Sequence, residues 1–158
     1  MSSSVLSPTD CYHSGLVVPD VKAAAARLTA AAGYTWTTPV QATLAVAAAD
    51  GEYEVPFEFV YSLQPPHLEL IHEVPGTIWT ASPGHALHHL GFWVDDLTAA
   101  TTSLEAAGYR LEARPADEGA AMFAYLIDPA GVRIEIVNRA LFPDWPGFLQ
   151  SMRAEEAV

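Results

Sequence analysis

Three things are scarce in this sequence. It holds a single cysteine, Cys11, which excludes an internal disulfide and any cysteine-built metal cluster and leaves that residue as a small apolar filler in a strand. Cations are few: 7 Lys and Arg stand against 19 Asp and Glu, a net charge of −12. A surface of that sign repels phosphate backbones and anionic membranes, so neither nucleic acid nor a membrane is expected as a partner. No apolar run approaches the roughly 18 residues of a membrane span. The opening MSSSVLSPTD lacks the basic-then-apolar order of a secretory signal. The expectation is a cytoplasmic protein. What is plentiful is apolar surface: 51% of the 158 residues are hydrophobic, enough for one compact domain with its own core.

The chain writes one phrase twice. YHSGLVVPD at 12–20 and HHLGFWVDD at 88–96 each set a histidine two places before a glycine. Laying His13 on His89 also pairs Gly15 with Gly91, Val18 with Val94, Asp20 with Asp96 and Leu28 with Leu104. One residue of slip later, AAGY at 31–34 meets AAGY at 106–109. Alanine recurs by chance in so alanine-rich a chain, so the weight lies on the His, Gly, Asp, Leu and Gly-Tyr matches.

Each copy begins with strand-forming residues, then an Asp at a helix N-cap position, a helical stretch, and Gly33 or Gly108 as the C-cap. TWTTPV with QATLAVA, VPFEFVYS and HLELIHE follow as strands in the first copy; YRLEARP, AMFAYLID and VRIEIVN follow in the second. Turn signals at ADGE, QPPH and DPAG separate them. The order is strand, helix, three strands, twice over: an α+β chain of two tandem βαβββ modules. Module 1 is expected at about 11–74, a Pro/Gly/Ser/Thr-rich linker at 75–86, module 2 at about 87–139, and a tail with a short helix at 140–158, all within one domain.

Strand alternation sorts the side chains into faces. His13, Gly15 and Val17 share a face in the first strand, as do His89, Gly91 and Trp93 in its repeat. Glu69 stands between Leu68 and Leu70, and Glu135 between Ile134 and Ile136. Each module thus offers one His and one Glu pointing away from its helix. An isolated strand His is ordinarily a core or surface residue, and a Glu between aliphatics can belong to an edge strand. Retention of both at matching places in a duplicated unit argues for a shared task. A carboxylate buried among aliphatics needs a partner, and one divalent cation would serve both acids and both imidazoles. Zn, Co, Ni, Mn and Fe all suit such a set.

On these residues the sequence resembles the vicinal oxygen chelate superfamily, which includes glyoxalase I, methylmalonyl-CoA epimerase, extradiol dioxygenases and the fosfomycin and bleomycin resistance proteins. The resemblance spans roughly residues 11–140: HSGLVVPDV and HHLGFWVDDL resemble module starts, LELI and IEIV the acid-bearing last strands. It implies paired βαβββ modules curling around a central metal-binding cleft, with His13, Glu69, His89 and Glu135 as metal ligands. His88 adjoins this set, but the repeat register selects His89. In such proteins the ion holds two neighbouring substrate oxygens and stabilises an enolate or enediolate. Glu135 and Glu69 are then the candidate bases, while Glu52 and Glu54 lie near the position of the epimerase-type base.

The scarcity of Lys and Arg sits poorly with glutathione or coenzyme A as a handle. Phe57, Phe59, Tyr61, Trp93, Phe123 and Tyr125 are candidates for the substrate pocket, with Trp79 and Trp145 nearby, and imply a partly apolar substrate. Aromatics at strand spacing are also ordinary core. Arg133, on the face of Glu135, either pairs with Glu69 or Glu135 or holds a substrate carboxylate. The leading expectation is a metal-dependent lyase or isomerase acting on a small carbonyl compound. The alternatives are an Fe-dependent extradiol-type dioxygenase and a non-catalytic protein that sequesters an antibiotic or other hydrophobic ligand. A homodimer is expected from the resemblance and from the need to cover sheet edges.

Overall fold

A computed structural model describes residues 3–155. The elements run β1 (Cys11–Val18), α1 (Val21–Ala32), β2 (Val40–Ala48), β3 (Gly51–Tyr61), β4 (Leu68–His72), β5 (Leu87–Val94), α2 (Leu97–Ala106), β6 (Arg110–Pro115), β7 (Phe123–Ile127), β8 (Arg133–Asn138) and α3 (Trp145–Ser151). This is an α+β fold of two tandem βαβββ modules followed by a helical tail. The strands hydrogen-bond in the order β1, β4, β3, β2, β6, β7, β8, β5, and the row closes into a curled mixed sheet. Among the described residues no helix is long and apolar enough to cross a membrane.

Two compact units are distinguishable: residues up to His13 with Thr43–Val55 and His89–Leu141, and Ser14–Ala42 with Pro56–His88 and the stretch from Phe142 onward. They differ from the sequence modules, because β1, β2, β3 and β5 each run from one unit into the other.

In the first unit α2 starts at Asp96, whose carboxylate accepts from Ala99 N at 2.9 Å. The helix lays Ala100 and Leu104 on Ala124, Leu126, Ile134 and Ile136, with Val94 completing that apolar layer. β7 runs antiparallel to β8, and β5 parallel to it. In the second unit α1 starts at Asp20, whose carboxylate accepts from Ala23 N at 2.9 Å. It packs Val21 and Ala24 with Val18, Trp36, Val60 and Leu70.

β1 lies parallel to β4 with Gly15 opposite Glu69, and β5 lies parallel to β8 with Gly91 opposite Glu135. The two registers are the same, so the duplication seen in the residues extends to the hydrogen bonding.

Three details depart from the sequence reading. TWTTPV is no strand: Trp36 and Thr37 form only isolated bridges, to Ser62 and Arg153. The regular strand starts at Val40, after Pro39, which has no N–H to donate to a ladder. Gly33 caps α1 with φ 77°, but α2, with 10 residues to the 12 of α1, ends at the cap Ala107, and Gly108 takes the positive φ. The shorter helix, offset in part by Ala107 standing before the glycine, accounts for the one-residue slip between the copies. Cys11 opens β1 but is exposed.

Candidate metal centre

The site is built from strand pleats. On β8, Ile134 and Ile136 turn into the apolar layer under α2, which forces Glu135 to the opposite face. There it meets two imidazoles. His13 Nε2 and His89 Nε2 lie 2.9 Å apart, and Glu135 Oε2 is 3.2 Å from the first and 3.0 Å from the second. Both histidines are 2% exposed and Glu135 7%. The close approach depends on Gly91. A Cβ there would overlap the His13 ring, so the spacing of His and Gly in the repeated phrase has a steric reason in this copy. Tyr125 stands opposite Glu135 in the β7–β8 register and sets its ring edge-on to His89, with centroids 5.1 Å apart. Tyr12 stacks on Trp93 and presents its ring edge-on to His13 at 4.4 Å.

Burial pushes the Glu135 carboxyl up. Hydrogen bonds from His13 and His89, and the charge of those rings, outweigh it and hold the group well below the usual carboxylate range.

Proton counting shows what this cluster needs. Each ring nitrogen carries at most one proton and a carboxylate none. If both nitrogens are protonated, two N–H groups face each other across 2.9 Å; if only one is, a nitrogen lone pair faces the carboxylate. No assignment turns all three contacts into hydrogen bonds. A cation among the three atoms makes every lone pair attractive at once. The spacing also suits an ion: two donors bound at about 2.1 Å stand about 3.0 Å apart at right-angled positions and about 3.4 Å apart at tetrahedral ones. Their separations of 2.9, 3.0 and 3.2 Å lie close to the right-angled spacing.

Glu69 belongs to the second unit, buried on β4 opposite Gly15 and opposite Tyr61 in the β3–β4 register. His13, Glu69, His89 and Glu135 make up a buried group of residues able to hold a metal ion. His88 is turned elsewhere, its Nε2 2.8 Å from the Ile78 carbonyl oxygen.

The other residues singled out in the sequence fall into both units. Trp93, Phe123, Tyr125 and Arg133 belong to the first, with Phe123 and Tyr125 edge-to-face at 5.7 Å. Phe57, Phe59 and Tyr61 belong to the second. There Phe57 packs against the buried Trp79 at 4.8 Å, Phe59 meets Tyr61 at 5.6 Å, and Tyr61 meets Trp145 at 4.9 Å. Phe59 and Tyr61 thus repeat the arrangement of Phe123 and Tyr125, each tyrosine opposite a module's glutamate. Glu52 and Glu54 are exposed on β3.

Arg133 has an ion-pair partner outside the residues singled out in the sequence. It forks onto Glu112 of β6, Nε to Oε2 at 2.5 Å and Nη2 to Oε1 at 3.2 Å. Glu112 is a buried residue that the sequence reading passed over. It occupies a register shift between Leu111 and Ala113, and strict alternation does not reveal a bulge.

A buried group of His and Glu able to hold a metal ion thus stands on a duplicated βαβββ sheet. The chain belongs to the Glyoxalase/Bleomycin resistance protein/Dioxygenase superfamily, whose pattern matches residues 12–126. That span includes His13, Glu69 and His89 and ends before β8. No curated protein is a significant sequence match. In fold the chain is similar to methylmalonyl-CoA epimerase from Mycobacterium tuberculosis, with a TM-score of 0.56 at 19% identity over 87% of this chain and 91% of that one. It is also similar to a variant of the Streptomyces coelicolor methylmalonyl-CoA epimerase in complex with 2-nitronate-propionyl-CoA, with a TM-score of 0.55 at 18% identity over 82% of this chain and 96% of that one.

Proposed function

We propose that the chain is a metal-dependent lyase or isomerase acting on a small, partly apolar carbonyl compound with two neighbouring oxygens. His13, Glu69, His89 and Glu135 hold a divalent cation. The ion supplies Lewis-acid stabilisation of a developing enolate or enediolate. Glu135 or Glu69 takes the proton from the adjacent carbon, the edges of Tyr125 and Tyr12 hold the imidazoles in orientation, and the aromatic residues exclude water. The observation that carries this reading is the three-way contact of His13, His89 and Glu135, which no placement of ring protons satisfies around an ionised Glu135. A cytoplasmic homodimer remains part of the proposal, and light scattering of the purified protein reads the oligomer.

The test is metal analysis of the purified protein followed by proton-deuterium exchange on 2-oxo, 1,3-dicarbonyl and acyl-thioester compounds. One bound divalent ion per chain is expected, with exchange lost by about 10²–10⁴-fold in Glu135→Gln. Full exchange activity in that variant would sink the proposed base. Failure to bind any divalent cation would sink the metal reading and leave a ligand-sequestering protein.

A second reading has one observation in its favour. Within the first unit alone, two histidines and one carboxylate converge, the ligand set that non-haem Fe(II) oxygenases use. Oxygen uptake by the ferrous protein with catechols would select it over proton transfer.

A further inference from the structure

The β6–β7–β8 sheet places a charged pair on the same face as the candidate metal group. Tyr125 opposes Glu135 and Ile127 opposes Arg133 across β7 and β8, so alternation sets Arg133 on the face of Glu135, two residues away. On β6, Leu111 turns into the apolar layer under α2, while Ala113 opposes Tyr125 and so lies on the metal-bearing face. The bulge between them brings Glu112 to that face as well, where it takes both Nε and Nη2 of Arg133. Both side chains are largely withdrawn from water.

All seven Lys and Arg of the chain lie among the described residues, and their positions bear on what this face accepts. Lys22 and Arg27 are exposed on α1, Arg110 is exposed at the start of β6, and Arg153 is exposed in the tail. Arg139 is bound to Asp10 and Asp95, each at 2.9 Å. Arg114 lines the groove beside Leu97 and Thr101 of α2, on the other side of the sheet, and donates to the Pro115 carbonyl. Arg133 is therefore the cation on the metal-bearing face, and Glu112 neutralises it in place. The N-termini of α1, α2 and α3 already have Asp20, Asp96 and Asp144 as acceptors.

We infer that the site takes an uncharged carbonyl compound and not a carboxylate or phosphate ester, and that Glu112 sets this preference by occupying Arg133. This rests on the metal-bearing reading above. An anionic group brought to Arg133 meets the Glu112 carboxylate in a buried setting, where like charges repel with little screening. The net charge of −12 adds to that repulsion at longer range. Glu112 is thus a specificity-determining residue that acts through Arg133.

Zinc titration of the metal-free protein comes first. Failure to bind zinc overturns the metal reading, and the charge preference is then read with indole-3-carboxamide against indole-3-carboxylate, which need no metal. With zinc bound, the probes are benzohydroxamic acids, whose two neighbouring oxygens chelate the ion, bearing at ring position 2, 3 or 4 either a carboxylate or a size-matched carboxamide. Calorimetry is expected to give the wild type at least about tenfold tighter binding of each carboxamide than of its carboxylate, the scale of one unfavourable charge contact. In Glu112→Gln at least one carboxylate should gain about tenfold relative to its carboxamide. The inference is overturned if a carboxylate binds the wild type as tightly as its carboxamide, or if a folded Glu112→Gln leaves the ratios unchanged. Should that variant not fold, Glu112→Leu with Arg133→Met replaces the pair by apolar groups. It should still favour the carboxamides, and a carboxylate preference there would count against the inference.

Discussion

At the residue scale, the absence of a side chain at Gly91 matters as much as the ligands do. The His13 ring occupies the space a Cβ would take, and Glu135 sits directly across from Gly91 on the neighbouring strand. Gly91→Ala should therefore push the imidazole away from its partners. The expected cost is about 1–3 kcal/mol, the range for overpacking a core, together with at least about tenfold weaker zinc binding. Urea denaturation and calorimetry read the two effects. The steric account makes a sharper demand: in a background carrying His13→Ala, the same glycine substitution should cost much less stability, since residues in contact are not additive. An undiminished cost in that background would mean that Gly91 serves backbone freedom and not the histidine.

At the element scale, the two helices follow one plan. Asp20 and Asp96 each accept from the backbone N–H three residues on, at 2.9 Å in both cases. Replacing either by Ala should cost about 1 kcal/mol in urea titrations, and the two losses should be similar. A loss at one helix only would mean that the copies have diverged in what starts them. These elements were legible because caps, helix-ending glycines and strand alternation are local signals, and the duplication printed them twice. The positions of His13 and His89 were legible for the same reason, as was the orientation of Glu69 and Glu135 away from their aliphatic neighbours. Three features were not. The place of β2 depended on Pro39 interrupting a strand-like run. The partner of Arg133 depended on a bulge in β6, since only cross-strand register reveals which acid a buried guanidinium meets. The matching Phe59-Tyr61 and Phe123-Tyr125 pairs sat beyond the point where the two copies align by eye, and their equivalence shows only once each tyrosine is seen opposite a glutamate.

At the scale of the whole molecule, the closed row of strands removes one reason for dimerisation, because a closed row leaves no sheet edge to cover. Any dimer would have to be built from faces or loops. The four candidate ligands lie on β1, β4, β5 and β8, so an ion bound to them ties together segments separated by most of the chain. An unfolded chain cannot present that set, which makes metal affinity a contribution to folding stability. Free zinc at 100 times its dissociation constant should add about 2.7 kcal/mol. For a chain of this length that corresponds to a rise in Tm of roughly 5–11 °C over the chelator-treated protein, at about 2–4 °C per kcal/mol. Differential scanning calorimetry with and without chelator measures it. Glu135→Gln, which loses a charged ligand at the centre of the contact, should show a much smaller rise at the same free zinc. An equal rise in the variant would place the ion elsewhere on the molecule and detach it from His13 and His89.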